Sequence, residues 1–240
     1  MSKSDKDIES RTVANPPLQQ SSFVFFPEEK MIRKKILEHP ELSIRAASAA
    51  LEDQKKKLER QTAFLLSAYA LGAQTGTELS ALAASFTQKL PKSVFGVGEG
   101  GNFLLPLDLL FERVKACEMR LDRLILELDP FWQPDRFDPA RFAFLETILP
   151  QANLQKEAEA VGAKGETIRT GARTLSERIG IFCQTAVEPF FQKAAEAADL
   201  EENGANMRFG KLGALCGELQ NAAAQFAREC TAKAGEFRKF

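Results

Sequence analysis

The chain has 240 residues, 44% apolar and 27% charged, with a formal net charge of -1. That length can bury a real core in one large domain or two small ones, and the balanced charge argues against a nucleic-acid coat, which needs a local excess of Lys and Arg. One His excludes a multi-histidine metal site within a single chain, and 19 Phe stand beside one Trp and one Tyr.

Met1 to Ser10 is polar and lacks the apolar stretch of a signal peptide. No run of about 18 uncharged apolar residues could serve as a membrane span. A cytoplasmic location is therefore expected. Residues 1–27 read as an extended or disordered N-terminal arm: Asn15-Pro16-Pro17 breaks any helix, and a knot of Phe23, Val24, Phe25, Phe26 and Pro27 follows. The remainder, 28–240, reads as one helical domain.

Pro27 suits the first turn of a short helix over 28–39 that stops before Pro40. A long helix is then expected over 41–90, on the order of 70 Å at 1.5 Å per residue. Its seam (Leu58, Thr62, Leu65, Tyr69, Gly72, Gly76, Leu79, Ala83, Phe86 and Leu90) alternates spacings of four and three. Gly72 and Gly76 are its weak point, and whether the helix kinks or breaks there is left open by the sequence. Pro91 to Pro106 reads as a connection. A helix over 106–129 follows, with Leu107, Leu110, Val114, Cys117, Leu121, Leu124 and Leu128 on one face.

Asp129-Pro130 ends that helix, and a proline-rich turn holds Phe131, Trp132 and Phe137. Asp138 is placed to cap the next helix, with Pro139 at its first position. That helix is expected over 139–202, bent at Pro150 and bent or ended at Pro189. Asn203-Gly204 is a stop signal, and a last helix over 205–238 carries Leu212, Cys216, Leu219, Ala223, Phe226, Cys230 and Phe237 in register. Period-two alternation is almost absent, so strands are not expected. The fold class is all-α: an elongated bundle of about four long antiparallel heptad-patterned helices with an extended arm.

Few features point to chemistry. Gly96 to Gly101 satisfies G-x-G-x-x-G, but no strand leads in and Pro106 starts the next helix beyond it, so an inter-helix loop is expected. Val161 to Ile168 resembles the GXXG loop of KH domains, which implies a clamp for single-stranded nucleic acid. The stretch before Gly171 is too short for that family's second helix, and the preferred reading is a helix with weak glycines, or a local break, on a continuing seam. Cys117, Cys183, Cys216 and Cys230 form no C-x-x-C pair and fall in or beside apolar stripes, where a thiol acts as a small hydrophobe. His39 stands at a helix end, and the helices lack the Glu-x-x-His pattern of di-metal bundles. Lys55-Lys56-Lys57 is interleaved with acids and reads as a solvated face. No catalytic, cofactor-binding or metal residue is assigned, and nucleic acid is not expected as a partner.

What survives are contact signals. Phe23, Val24, Phe25 and Phe26 form an apolar anchor for the chain's own bundle, a partner or a lipid surface. Burying one Phe is worth roughly 1.5–3 kcal/mol. Phe131, Trp132 and Phe137 make either a partner hot spot or a buried plug. Lys30, Arg33, Lys34 and Lys35 follow the arm among Met31, Ile32, Ile36 and Leu37, as in a basic amphipathic helix. The expected function is a non-enzymatic helical interaction protein (a scaffold, adaptor or assembly subunit) with protein partners, including further copies of itself. The alternative is a peripheral lipid- or granule-surface protein that uses Phe25, Phe26 and the basic helix.

Overall fold

Proline and the heptad spacing between them set most of the helix boundaries. In the computed structural model, which describes residues 27–94, 104–132, 137–198 and 205–239, α1 (Pro27–Glu38) and α2 (Pro40–Val94) each open on a proline. There the missing N–H removes a donor that would have no partner in the helix anyway. Between them His39 accepts both the Ser43 amide (3.0 Å) and the Ser43 hydroxyl (2.9 Å) on its carbonyl oxygen. Of the residues expected to form the arm, 1–27, Pro27 instead opens α1, and 1–26 lie outside the described residues. All-α is the class observed, with no strand among the described residues.

After α2 come α3 (Leu104–Leu128), a 3-10 turn (Asp129–Trp132) and α4 (Ala140–Ile148). Then follow α5 (Gln155–Phe182), a π turn (Cys183–Val187), α6 (Glu188–Ala198) and α7 (Ala205–Phe237). Asp138 does cap α4, its Oδ1 accepting the Ala140 amide at 3.0 Å.

Three expectations need correction. The single helix over 139–202 does not exist: Pro150 forces Leu149 out of the helical region (φ −128°, ψ 79°). The chain then makes a 3-10 turn over Pro150–Ala152 and passes through left-handed Asn153 (φ 48°) before α5 starts. About four long helices is therefore an undercount. Second, the helix expected to end at 90 runs past Pro91 to Val94, and it is unbroken at Gly72 and Gly76, where the sequence left the matter open. Third, the interruption expected at Pro189 takes the form of a π turn rather than an end to the helical run. The proline's missing N–H and its ring would disrupt the bond to the carbonyl four residues back, and the π turn just ahead takes up the misfit. There the Glu188 amide reaches the carbonyl of Cys183, five residues back, and α6 continues the run.

The seams read from sequence are the core. Leu58, Leu65, Leu79, Leu107, Val114, Leu121, Leu175, Ile179, Leu212 and Leu219 are among its fully or almost fully buried members. Register follows from the contacts. Gly72 lies against Phe226 and Cys230 and Gly76 against Ala223, so α2 and α7 run antiparallel as principal neighbours. The pairs Phe64–Phe131 and Glu78–Arg120 run α3 antiparallel to α2. By contrast, Leu58 beside Gly165 and Tyr69 beside Gly171 set α5 parallel to α2. A small second core of Leu145, Leu149 and Ala152 takes Ile36 from α1 and Ile44 from α2, and so seats α1 at one end.

Close contacts with α7 explain two of the glycines, Gly76 in α2 and Gly171 in α5. A Cβ at Gly76 would stand 2.8 Å from the Ala223 carbonyl oxygen, so the two backbones meet at a distance only Gly permits. At Gly171 a Cβ would stand 2.2 Å from the Phe237 ring, and the Gly171 carbonyl accepts the hydroxyl of buried Tyr69 at 2.9 Å.

Candidate interaction surfaces

The basic segment is on the outside. Lys30, Arg33, Lys34 and Lys35 are all exposed on α1, and Lys30, Arg33, Lys34, Leu37 and Glu38 line an open groove of about 460 Å³. Met31, Ile32, Leu37 and, at the start of α2, Leu42 are exposed large apolar side chains. At 100° per residue Met31, Ile32 and Leu37 point in three different directions, while Ile36 turns into the second core. The expected single apolar face is thus replaced by a basic helix with apolar side chains on several sides. Phe23, Val24, Phe25 and Phe26 lie outside the described residues.

The aromatic turn gives much of its surface to the chain itself. Phe131 stacks on Phe64 of α2 (centroids 4.9 Å apart, 13° between planes) and packs on the main core. Phe137 meets buried Phe142 at 5.4 Å and packs on the same core. Both are half-buried. The side chain of Trp132 and residues 133–136 lie outside the described residues.

A further groove escaped the sequence reading. Phe111, Glu112, Lys115 and Glu118 of α3 face Glu188, Phe191 and Gln192 of α6 across an open space of about 610 Å³. Glu118 is only 8% exposed and accepts a hydrogen bond from Lys115 Nζ at 2.5 Å. The same ammonium lies 5.9 Å from the Phe191 centroid. Its bond to Glu118 holds the Lys115 pKa above the ordinary lysine value. Lys115 and Glu118 look like an ordinary polar face in sequence. The available signal was Phe111, which follows seam residue Leu110, together with the Phe190-Phe191 pair.

The four cysteines are free and buried. Burial pushes Cys117 and Cys216 up to about 11 and Cys183 and Cys230 up to about 12, so the thiols keep their protons at neutral pH. Val161 to Ile168 is helical within α5, with Gly162 against Pro139 and Gly165 against Leu58, so the GXXG-like stretch forms no loop. Gly96 to Gly101 lies outside the described residues. Lys55 pairs with Glu52 (2.6 Å) and with Glu157 of α5. Among the described residues no group of three or more His, Cys, Asp or Glu side chains is placed to hold a metal ion, and no helix is long and apolar enough to cross a membrane. No protein-family model matches the chain, and neither a curated protein nor a solved structure matches it.

Proposed function

We propose that the chain is a non-enzymatic helical interaction protein that presents helix faces and its N-terminal segment to protein partners. In this reading its frame is an elongated bundle in which the heptad-patterned helices α2, α3, α5, α6 and α7 pack lengthwise. One observation carries it. Large apolar side chains are left on outer helix faces, with Met31, Leu37 and Leu42 at the α1 end and Leu109, Met119 and Leu126 along α3. Where such side chains line up along one face, as Leu109, Met119 and Leu126 do on α3, they make apolar surface for a partner to cover. The protonated, buried thiols support the non-enzymatic part, since the nucleophilic form of cysteine is the thiolate.

The test is affinity purification from the native host with quantitative mass spectrometry. The whole chain is compared with Phe25→Asp and with the double variant Leu37→Asp/Leu42→Asp. A specific partner depleted by the substitutions is the expected result. An identical set of recovered proteins for all three would remove the α1 end as a contact surface.

The cluster of Lys30, Arg33, Lys34 and Lys35 beside exposed Met31 and Leu37 favours a second reading, a peripheral protein on an anionic lipid or granule surface. Co-sedimentation with phosphatidylserine vesicles, lost in a chain lacking residues 1–39, is its expected signature. No sedimentation of the whole chain at low salt would dispose of it.

A further inference from the structure

α3 carries two stripes. The seam from Leu107 to Leu128 faces the core. On the far side, about 160° away at 100° per residue, lie Leu109, Glu112, Ala116, Met119, Arg123 and Leu126, every one exposed. Leu109 is 52%, Met119 63% and Leu126 73% exposed. Their spacings alternate three, four, three, four and three, which is the a/d pattern of a helix seam.

The stripe is also self-complementary when reversed. An antiparallel copy related by a two-fold axis between Cys117 and Glu118 sets Leu109 opposite Leu126, Glu112 opposite Arg123, and Ala116 opposite Met119. Each apolar position then meets an apolar one, and each charge meets its opposite. A parallel copy would instead set Glu112 against Glu112 and Arg123 against Arg123, which is repulsive. The flanks are mixed. Lys115 approaches Asp122 of the copy on one side; on the other Arg113 approaches Arg120, whose charge Glu78 of its own chain already meets at 2.7 Å. Arg123 bonds Glu127 at 3.0 Å on the surface, an exchangeable contact between exposed groups.

We propose that the outer face of α3 is the docking site for a second copy of this chain, paired antiparallel about a two-fold axis. The contact runs about 26 Å from Leu109 to Leu126 at 1.5 Å per residue and is one helix wide. It is small beside a standard interface. The dimer is accordingly a weak one, with a dissociation constant on the order of micromolar or above. The proposal rests on the partner-binding reading only in assigning α3 an occupant. Its failure leaves the α1 end untouched, because that end is tested with different variants.

Sedimentation velocity of the whole chain across roughly 1 to 300 μM tests it, with circular dichroism confirming that each variant keeps its helices. The chain is expected to move from monomer to dimer over that range. Glu112→Arg alone and Arg123→Glu alone each turn both symmetry-related pairs repulsive and weaken the dimer by roughly tenfold. The double variant Glu112→Arg/Arg123→Glu restores opposite charges at both pairs and returns the dimer to near its original strength. Monomer at every concentration overturns the proposal. So does a dimer that ignores both single reversals, or one that the double reversal fails to rescue.

Discussion

A glycine in the middle of a helix costs about 1 kcal/mol relative to Ala, so each one kept in α2 or α5 needs a structural reason. At Gly76 the reason is α7, whose Ala223 carbonyl oxygen would stand 2.8 Å from a Cβ. Gly76→Ala must push two backbones apart, and the overpacking exceeds the propensity gain. It should lower stability by about 1–3 kcal/mol. Gly180 has nothing within 4 Å of a Cβ, so Gly180→Ala should gain up to about 1 kcal/mol. Urea midpoints of the two variants are expected to move in opposite directions. A Gly76→Ala protein as stable as the parent would mean that α2 and α7 are not held so close. The sequence alone leaves a kink open here because propensity is a local quantity. What fixes the glycine is a carbonyl on a helix far along the chain, and no spacing rule sees it.

At the scale of one element, α3 shows what periodicity can reveal. All seven residues of its expected seam, from Leu107 to Leu128, are buried, because a spacing of three and four alone determines which face turns inward. Leu121 is fully buried and Leu126 is 73% exposed. Leu121→Ala should therefore lose about 2–5 kcal/mol, while Leu126→Ala changes monomer stability by about 0.5 kcal/mol or less. Thermal melts at low micromolar concentration separate them; similar losses would contradict the orientation of α3. Elements broken by backbone detail were less legible. Pro150 announces a bend, yet the full interruption also needs left-handed Asn153 and the Glu146 carboxylate, which caps the Gln155 amide at 2.5 Å. The groove between Phe111 and Phe191 depends on how α3 lies beside α6, so its parts were visible in sequence but their meeting was not.

Across the whole molecule, ion pairs between helices such as Arg120–Glu78 and Arg178–Glu229 join partly exposed groups and contribute little each. The buried thiols bear on stability more directly, because they lie in α3, the π turn and α7. Their ordinary pKa is 9.0, and burial raises it to about 11 for Cys117 and Cys216 and to about 12 for Cys183 and Cys230. The fold keeps these protons where the unfolded chain has lost them. Stability from this source is fully present below about pH 9 and is lost as pH climbs through 11 to 12. Its limiting slope is about 1.4 kcal/mol per pH unit for each thiol still protonated in the fold. Lys55 and Lys115, raised by their carboxylate partners, push in the same direction, so the thiols need a control of their own. Urea midpoints from pH 8 to 10.5 should fall progressively for the parent. They should fall less steeply for Cys183→Ala/Cys230→Ala, whatever that variant loses at pH 8. In the parent at pH 8, a thiol reagent should label the native chain far more slowly than the unfolded chain. Rapid native labelling, or parallel pH profiles for parent and variant, would mean that the cysteines are not sealed in the core as their burial requires.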